Sequence, residues 1–225
     1  MNEKLVHPEW EFQISLDDGK STLVVIEEPV TFRRYVVELM NQCNGHDGDY
    51  VLSDSNDILS IKDRMVFVTD PLNLNPANKK VSTKITQQIK ELVVSESHYV
   101  QTLELIGKIE QFASSIENDY KLCVCHSPYT PEDICKMLNI QLQVYYDNEL
   151  ERVMEFMNVF HDVCSVDCFA FTSMLNLFNE NELDVLINEA TANKHNLIFF
   201  ETNEPFRNLN NTKKLIIDSD FCQIF

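Results

Sequence analysis

The stretch TLVVIEEP, residues 22–29, decides the fold of this chain. Thr22 to Ile26 is an unbroken run of apolar and β-branched residues, which is typical of a strand buried on both faces of a parallel sheet. After the turn Glu27-Glu28-Pro29, apolar residues recur at helical spacing from Thr31 to Met40, and Thr31 is the predicted N-cap of that helix. A buried strand followed at once by a helix predicts an α/β domain.

Further apolar runs predict the other strands of the same sheet. They are Met65–Thr69, which ends at Asp70, followed by Cys168–Phe171, Leu197–Glu201, Leu215–Ile217 and Cys222–Phe225. Asn44–Asn56, which holds two of the four glycines of the chain, is predicted to be a polar loop.

Helical spacing dominates the middle of the chain. It predicts a helix or a helical pair over about Lys79–Ile116, a helix opened by Thr130, Pro131 and Asp133, and a helix over Leu150–Val163. Asn179–Asn193 is predicted as a capped amphipathic helix. The order predicts an α/β head of residues 1–78 and 165–225, with an α-helical leg of residues 79–164 inserted between its halves.

Gly19-Lys20-Ser21-Thr22 has the tail of a nucleotide-binding P-loop, but it precedes a strand instead of a helix. A phosphate loop works because helix N–H groups face the phosphates. The turn that should carry it contains Glu27 and Glu28, two like charges, and Pro29, which lacks an N–H donor. Met65–Asp70 does have the form of the metal-binding strand of P-loop nucleotide hydrolases, with apolar residues ending in an aspartate. The fold is therefore predicted to be a degenerate P-loop-NTPase-like head, with no nucleotide expected and no catalytic residue set.

Charge is unevenly distributed along this acidic chain. The formal charge is −18, from 36 Asp and Glu against 18 Lys and Arg, which argues on average against nucleic acid. Between Pro71 and Lys90, however, there are four lysines and no acidic residue, namely Lys79, Lys80, Lys84 and Lys90. Arg33 and Arg34 lie near the start of the first helix. These residues are either ordinary solvated side chains or a basic patch that neutralises phosphates, to which Lys213 and Lys214 are possible additions.

The chain is expected to be a soluble, cytoplasmic protein. No secretory signal and no run of about 18 apolar residues is present. The seven cysteines are therefore predicted to be reduced thiols. Zinc binding by Cys123, Cys125 and His126, or by His161, Cys164 and Cys168, is the alternative to buried thiols.

Taken together, several segments resemble the accessory adaptation protein of type II-A CRISPR–Cas systems (the Csn-two family). They are Leu23–Met40, the strand Val66–Asp70 with its Asn-containing loop, the long helix beyond it, and Leu197–Glu201 with the closing Leu215–Phe221. The similarity extends from about Phe12 to the end and rests on order, length and strand sequences together. Residues 1–11 lie before it, and no role is predicted for them.

The resemblance implies a homotetrameric ring whose central hole is lined by Lys and Arg, and which threads onto the ends of linear double-stranded DNA without regard to sequence. It implies a role in spacer acquisition alongside the CRISPR integrase complex and the RNA-guided nuclease, and no enzymatic activity. It also implies calcium at an acidic head–leg junction. Here that region keeps only Glu117 and Asp119, and calcium takes six to eight oxygens; either other segments supply ligands or packing holds the junction. The alternatives are a protein-binding adaptor and a relic nucleotide-binding protein that uses Asp70.

Overall fold

The computed structural model describes residues 3–16, 19–55, 57–120, 128–205 and 208–225. The chain forms two compact units. The head unit comprises Met1–Pro76 and Tyr145–Phe225, and the helical unit comprises Ala77–Val144. Residues 145–164, which the sequence assigned to the leg, thus lie in the head unit.

The described elements are numbered in chain order. The strands are β1 (Glu3–Val6), β2 (Ile14–Leu16), β3 (Ser21–Ile26), β4 (Val51–Asp54), β5 (Asp57–Leu59), β6 (Met65–Val68), β7 (Cys168–Thr172), β8 (Asn196–Glu201), β9 (Thr212–Ile217) and β10 (Gln223–Ile224). The helices are α1 (Pro29–Cys43), α2 (Ile61–Arg64), α3 (Lys79–Val93), α4 (Tyr99–Asp119), α5 (Pro131–Leu138), α6 (Glu149–Cys164), α7 (Met174–Leu177) and α8 (Glu180–Ala192). None of the described helices is long and apolar enough to cross a lipid bilayer.

A six-stranded sheet in the order β10-β9-β3-β8-β7-β6 forms the centre of the head unit. All neighbouring pairs are parallel except β10 and β9. Every residue of β3 and of β8 is buried, as expected of strands covered on both faces. The predicted α/β class with a parallel sheet is confirmed, and all six predicted strands are present.

A second, antiparallel sheet in the order β2-β1-β4-β5 was not predicted. The prediction of a polar loop over Asn44–Asn56 is therefore wrong for its second half, where β4 lies. The sheet forms because Leu5, Ile14 and Leu52 are fully buried and join Tyr35 and Leu39 of α1 in one hydrophobic cluster. Its strands are only three or four residues long, and polar residues lie among the apolar ones, so the sequence shows no long apolar run there.

The first helix begins earlier than predicted. Glu28, not Thr31, is the N-cap of α1: its backbone is extended, and its carboxylate accepts hydrogen bonds from the N–H groups of Val30 (3.0 Å) and Thr31 (2.6 Å). Pro29 takes the first helical position, where a missing N–H costs nothing. Thr31 lies inside the helix with its side chain buried.

In the helical unit, the Lys79–Ile116 region is a helical pair, α3 and α4. The Thr102 hydroxyl of α4 donates to the Val93 carbonyl of α3 at 2.9 Å, which ties the two helices together. The predicted start of α5 is confirmed, with Pro131 in its first turn and a capping box between Thr130 and Asp133. In the head unit, α6 buries Val153, Phe156, Met157 and Phe160 and packs beside α8, so it cannot belong to a separate leg.

Candidate nucleic-acid interface

Helix α3 presents a lysine face. At 100° per residue, Lys79, Lys80, Lys84 and Lys90 fall within about 140° of its circumference. Val81 and Val93, which are buried, lie on the remaining part of the circumference. The helix is thus amphipathic, with its apolar side packed within the helical unit and its lysines directed away from that side.

The first turn of α3 is unusual in its charge. Asn78 caps the helix by accepting from the Val81 N–H (3.1 Å), and Lys79 and Lys80 occupy the first two helical positions with no acidic residue in the turn. The positive end of the helix dipole favours acidic side chains at these positions. Two lysines there are unfavourable by themselves, and a bound anion would remove the penalty.

The four lysines differ in their surroundings. Lys79 and Lys84 are exposed, and among the described residues neither ammonium group has an ion-pair partner. Lys80 is half-buried. The Lys90 Nζ lies 3.5 Å from an Oε1 of Glu132, on α5. Both groups of that pair are largely exposed, so the interaction is weak.

The two arginines of α1, in the head unit, also differ. Arg33 is exposed. Arg34 forms two hydrogen bonds to the Glu9 carboxylate, at 2.6 and 2.5 Å, and the Tyr35 hydroxyl donates to the same carboxylate at 2.7 Å. Hydrogen bonds from Arg34, the larger effect, and from Tyr35 lower the pKa of Glu9 to about 2. The Arg34 charge is therefore already partnered within the chain, whereas Arg33 has no hydrogen bond or ion pair among the described residues.

The additional basic pair, Lys213 and Lys214, lies on β9 in the head unit. Lys213 is exposed. The Lys214 Nζ is 2.5 Å from an Oε2 of Glu204. As with the arginines, one cation of the pair is engaged by a carboxylate of the same chain.

At the N-terminus of α1, where a P-loop protein binds phosphate, a carboxylate of this chain takes the place of the phosphate. In P-loop proteins the N-terminus of the helix after this strand holds phosphate oxygens, and here the Glu28 carboxylate takes the hydrogen bonds of two of those N–H groups. These two backbone hydrogen bonds lower the pKa of Glu28, which keeps the cap ionised. The neighbouring Glu27 carboxylate accepts from the Ser219 N–H at 3.0 Å.

Gly19, in the apparent P-loop tail, is required by a tight turn and not by phosphate binding. Its φ is +78°, and a Cβ at this position would lie 2.8 Å from the Cα and carbonyl oxygen of Thr191 on α8. The Thr191 hydroxyl donates to the Gly19 carbonyl at 2.9 Å. The structure agrees with the sequence-based interpretation that the motif leads into a strand, here β3.

Asp70 lies too far along the sheet to act with the turn after β3. Strand β6, which precedes Asp70, is the edge strand, and β7 and β8 separate it from β3. Three strand spacings of about 4.8 Å amount to about 14 Å. An ion held by Asp70 therefore could not also contact a phosphate at the turn after β3, because one ion cannot bridge this distance.

The residues predicted to bind calcium are both on α4. Glu117 and Asp119 are two positions apart near its C-terminal end, and residues i and i+2 do not face each other on a helix. They therefore do not form a shared calcium site in this conformation, and calcium at the junction stays a prediction.

The possible zinc ligands do not form a metal site among the described residues. Cys123, Cys125 and His126 lie outside the described residues. His161, Cys164 and Cys168 do not converge: the His161 Nδ1 lies 3.0 Å from Asp167 Oδ1, and Cys168 is buried in β7. Among the described residues, the metal-ligating side chains that converge are instead His7, Glu38 and Asp49. The five described cysteines are free thiols.

A protein-family model described as "CRISPR-associated protein (Cas_Csn2)" matches residues 42–221, which is most of the chain. The chain belongs to the CRISPR-associated Csn2 family. The match confirms the family resemblance found in the sequence, including the β6–α3 segment that carries the lysine face. A search of curated proteins found no match to this Csn2 chain.

Solved structures similar to this Csn2 chain include components of ABC transporters. A metal-chelate type ABC transporter in an inward-facing conformation has 12% identity, covering 96% of this chain and 79% of that one, with a TM-score of 0.43. The ATP-binding cassette MJ1267, in its ADP conformation, has 8% identity, 90% and 82% coverage and a TM-score of 0.41. An ABC transporter ATP-binding protein from Pyrococcus furiosus has 6% identity, 95% and 97% coverage and a TM-score of 0.41.

Two features of the Csn2 head unit escaped sequence reasoning. Glu201 ends the fully buried strand β8, and its carboxylate accepts from the Leu175 N–H at 3.1 Å beside a cavity of about 700 Å³. Burial raises its pKa to about 7, against the effect of hydrogen bonds from Leu175 and Met174. His7 is buried among aromatic rings near the N-terminus. An acidic residue at the end of an apolar run could have signalled Glu201, whereas no local pattern marks His7.

Proposed function

We propose that this Csn2 chain is a non-enzymatic protein that binds the ends of linear double-stranded DNA without sequence preference, as a homotetrameric ring, during spacer acquisition in type II-A CRISPR immunity. Its partners are the CRISPR integrase complex and the RNA-guided nuclease. Family membership supports the CRISPR context. The lysine face of α3 is the observation that carries DNA binding.

The lysine face has the dimensions of a phosphate contact. From Lys79 to Lys90 the helix rises about 16 Å at 1.5 Å per residue. Duplex DNA carries one phosphate charge per about 1.7 Å of its axis, so several phosphates fall within this length. Lysine ammonium groups contact phosphates as point charges and carry no base information, which accounts for binding that ignores sequence.

Assembly into a ring is supported by the surface of the helical unit. Several large apolar side chains there are about half exposed or more, which is costly for an isolated molecule. They include Leu92, Val100, Leu103, Phe112 and Ile116. Contact with further copies of the chain would bury them and bring several lysine faces into one particle. The acidic remainder of the surface would then disfavour DNA elsewhere.

The deciding experiment compares linear and closed circular duplexes of the same sequence. The wild-type protein should bind the linear form and fail to retain the circular form, because a ring can thread only onto a free end. Light scattering should give the mass of four chains. Equal affinity for both topologies would refute threading, and a monomer that ignores DNA would refute the whole proposal.

Lysine substitutions test the interface itself. In Lys79→Gln and Lys84→Gln, DNA affinity should fall, and the slope of log affinity against log salt should decrease by about 0.9 for each DNA phosphate that the variant no longer neutralises. Lys108→Gln is the matched control, since Lys108 is an exposed lysine of α4 outside the lysine face. If the control weakens binding as much as the two variants, the DNA-binding surface lies elsewhere.

The two alternatives predict different results. If the chain is only a protein-binding adaptor, glutamate substitutions of the four lysines leave spacer acquisition intact. If it is a relic nucleotide-binding protein, calorimetry detects stoichiometric ATP binding that Asp70→Ala abolishes. The Glu28 cap and the edge position of Asp70 make the second alternative the less supported one.

A further inference from the structure

Three side chains from separate parts of the head unit converge beside the N-terminal sheet. His7 follows β1, Glu38 lies on α1, and Asp49 lies just before β4. Their ligand atoms all fall within 4.8 Å of one another. The Glu38 Oε1 also accepts a hydrogen bond from the Asp49 N–H at 2.6 Å, which holds the helix and the loop together at this point.

His7 is the decisive member of this group. The residue is 3% exposed, and its Nε2 is buried with no hydrogen-bond partner among the described residues. The nearest carboxylate oxygen, Glu38 Oε2, lies 3.5 Å from Nε2, beyond the normal range for a hydrogen bond. A buried ring nitrogen without a partner is costly, and here it lies next to the Glu38 carboxylate in a cluster that also includes Asp49.

We propose that His7, Glu38 and Asp49 bind a divalent transition-metal ion of the zinc type. Two ligands about 2.1 Å from a tetrahedral ion lie roughly 3.4 Å apart, close to the observed separation of Nε2 and Oε2. One imidazole and two carboxylates suit zinc and its neighbours, whereas calcium and magnesium prefer oxygen ligands alone. Three protein ligands leave a fourth position for water.

The rings around His7 complete the environment of the site. Tyr50, Tyr35 and Trp10 surround the imidazole, with ring centroids at 4.8, 4.9 and 5.7 Å. They exclude water from one side of the imidazole and fix its plane. The ion would enter from the other side, where Asp49 is exposed.

Binding requires one rearrangement of hydrogen bonds. The Glu9 N–H donates to the His7 Nδ1 at 3.2 Å, so the neutral ring carries its proton on Nε2. An ion at Nε2 needs that proton to move to Nδ1, and the hydrogen bond from Glu9 is then broken. This exchange lowers the affinity, so the ion should be removable by a chelator. The bound ion would tie β1, α1 and the segment before β4 together.

Trp10 provides a direct measurement, because it is the only tryptophan of the chain and lies beside His7. The full-length protein, stripped with a chelator, is titrated with Co²⁺ while Trp10 fluorescence is followed, and Zn²⁺ is then added in competition. We expect saturable quenching by one Co²⁺ per chain, reversed by Zn²⁺. Absence of saturable quenching would overturn the proposal.

Variants separate this site from binding by cysteines. Glu38→Gln and Asp49→Asn should each weaken Co²⁺ binding at least about tenfold, while Asp47→Asn, which removes a charge from the same loop, should change it by less than about threefold. His7→Gln should abolish quenching; if that variant does not fold, the two carboxylate variants decide. Unchanged affinity in both carboxylate variants would show that the ion binds elsewhere and would refute the site.

Discussion

Replacing Glu201 with Gln should stabilise the head unit, and the gain should grow with pH. Glu201 is 3% exposed at the end of β8. Burial disfavours its charged form and raises its pKa from the ordinary 4.5 to about 7, although N–H groups of α7 donate to it. Glutamine keeps a carbonyl oxygen that can accept from the Leu175 N–H, but it never ionises.

The magnitude follows from proton linkage. Between pH 4.5 and 7 the folded state binds the proton that the unfolded state has released, so the free energy of unfolding falls as pH rises, and the full loss is present above pH 7. At about 1.4 kcal/mol per pKa unit, the ionisable carboxyl costs about 1 kcal/mol at pH 5 and about 3 kcal/mol at pH 8. Any cost of the glutamine amide is the same at every pH and appears as a constant offset.

Urea unfolding followed by Trp10 fluorescence measures this difference, because Trp10 lies in the same head unit as Glu201. Each variant is compared with the wild type at several values between pH 5 and 8. Glu204→Gln is the control, since its carboxylate lines the same cavity but is partly exposed and paired with Lys214. If the stability difference for Glu201→Gln is the same at pH 5 and pH 8, Glu201 does not titrate in this range and the reasoning fails.

Two further predictions concern residues of the head unit, Gly19 and His195, with Gly107 of the helical unit as a control. Gly19→Ala should lower stability by at least about 2 kcal/mol in thermal unfolding, because the positive φ and the Thr191 backbone both reject a Cβ; Gly107→Ala, on α4 with open space around it, should instead be neutral or stabilising by up to about 1 kcal/mol. Burial is the main cause, and the charge of the nearby His161 the second, of a His195 pKa below the usual 6.5. The unfolded state therefore takes up this proton first, and stability should fall as pH drops through about 6.5. His195→Phe should flatten that dependence in melting curves, and an unaltered slope would rule His195 out as its source.

The centre of the parallel sheet was predictable because every residue of β3, β7 and β8 is buried. Residues such as Val24 and Phe199 sit in uniformly apolar runs that need no tertiary information. The antiparallel sheet was missed for the opposite reason. Its strands are short and bury only alternate residues, as in Phe12-Gln-Ile14-Ser-Leu16, a period-two pattern too brief to stand out between charged neighbours.

The N-cap of α1 shows where propensity misleads. Threonine is a common N-cap and glutamate is not, so Thr31 was the natural choice. Pro29 moves the helix start upstream, because its fixed φ suits the first helical position and leaves the preceding residue extended. Glu28 is then the only side chain in place to receive the first N–H groups.

The candidate site was predictable where it depends on local sequence. The lysine face follows from charge and helical spacing along Lys79–Lys90. The engagement of Arg34 by Glu9 could not be predicted, because the two residues are 25 positions apart and meet only through the tertiary fold. The same holds for His7, Glu38 and Asp49, which come from three separate segments.

The Glu28 cap has a consequence for how the head responds to its surroundings. In a nucleotide-binding relative of this fold, the phosphate is a diffusible ligand, and stability rises with its concentration. Glu28 is covalently tethered to the helix it caps, so its effective concentration is fixed and independent of metabolism. We therefore expect the head to be constitutively in one state, unresponsive to the energy charge of the cell. If the proposed function is right, DNA and further copies of the chain, and not nucleotides, are the ligands that would change its state.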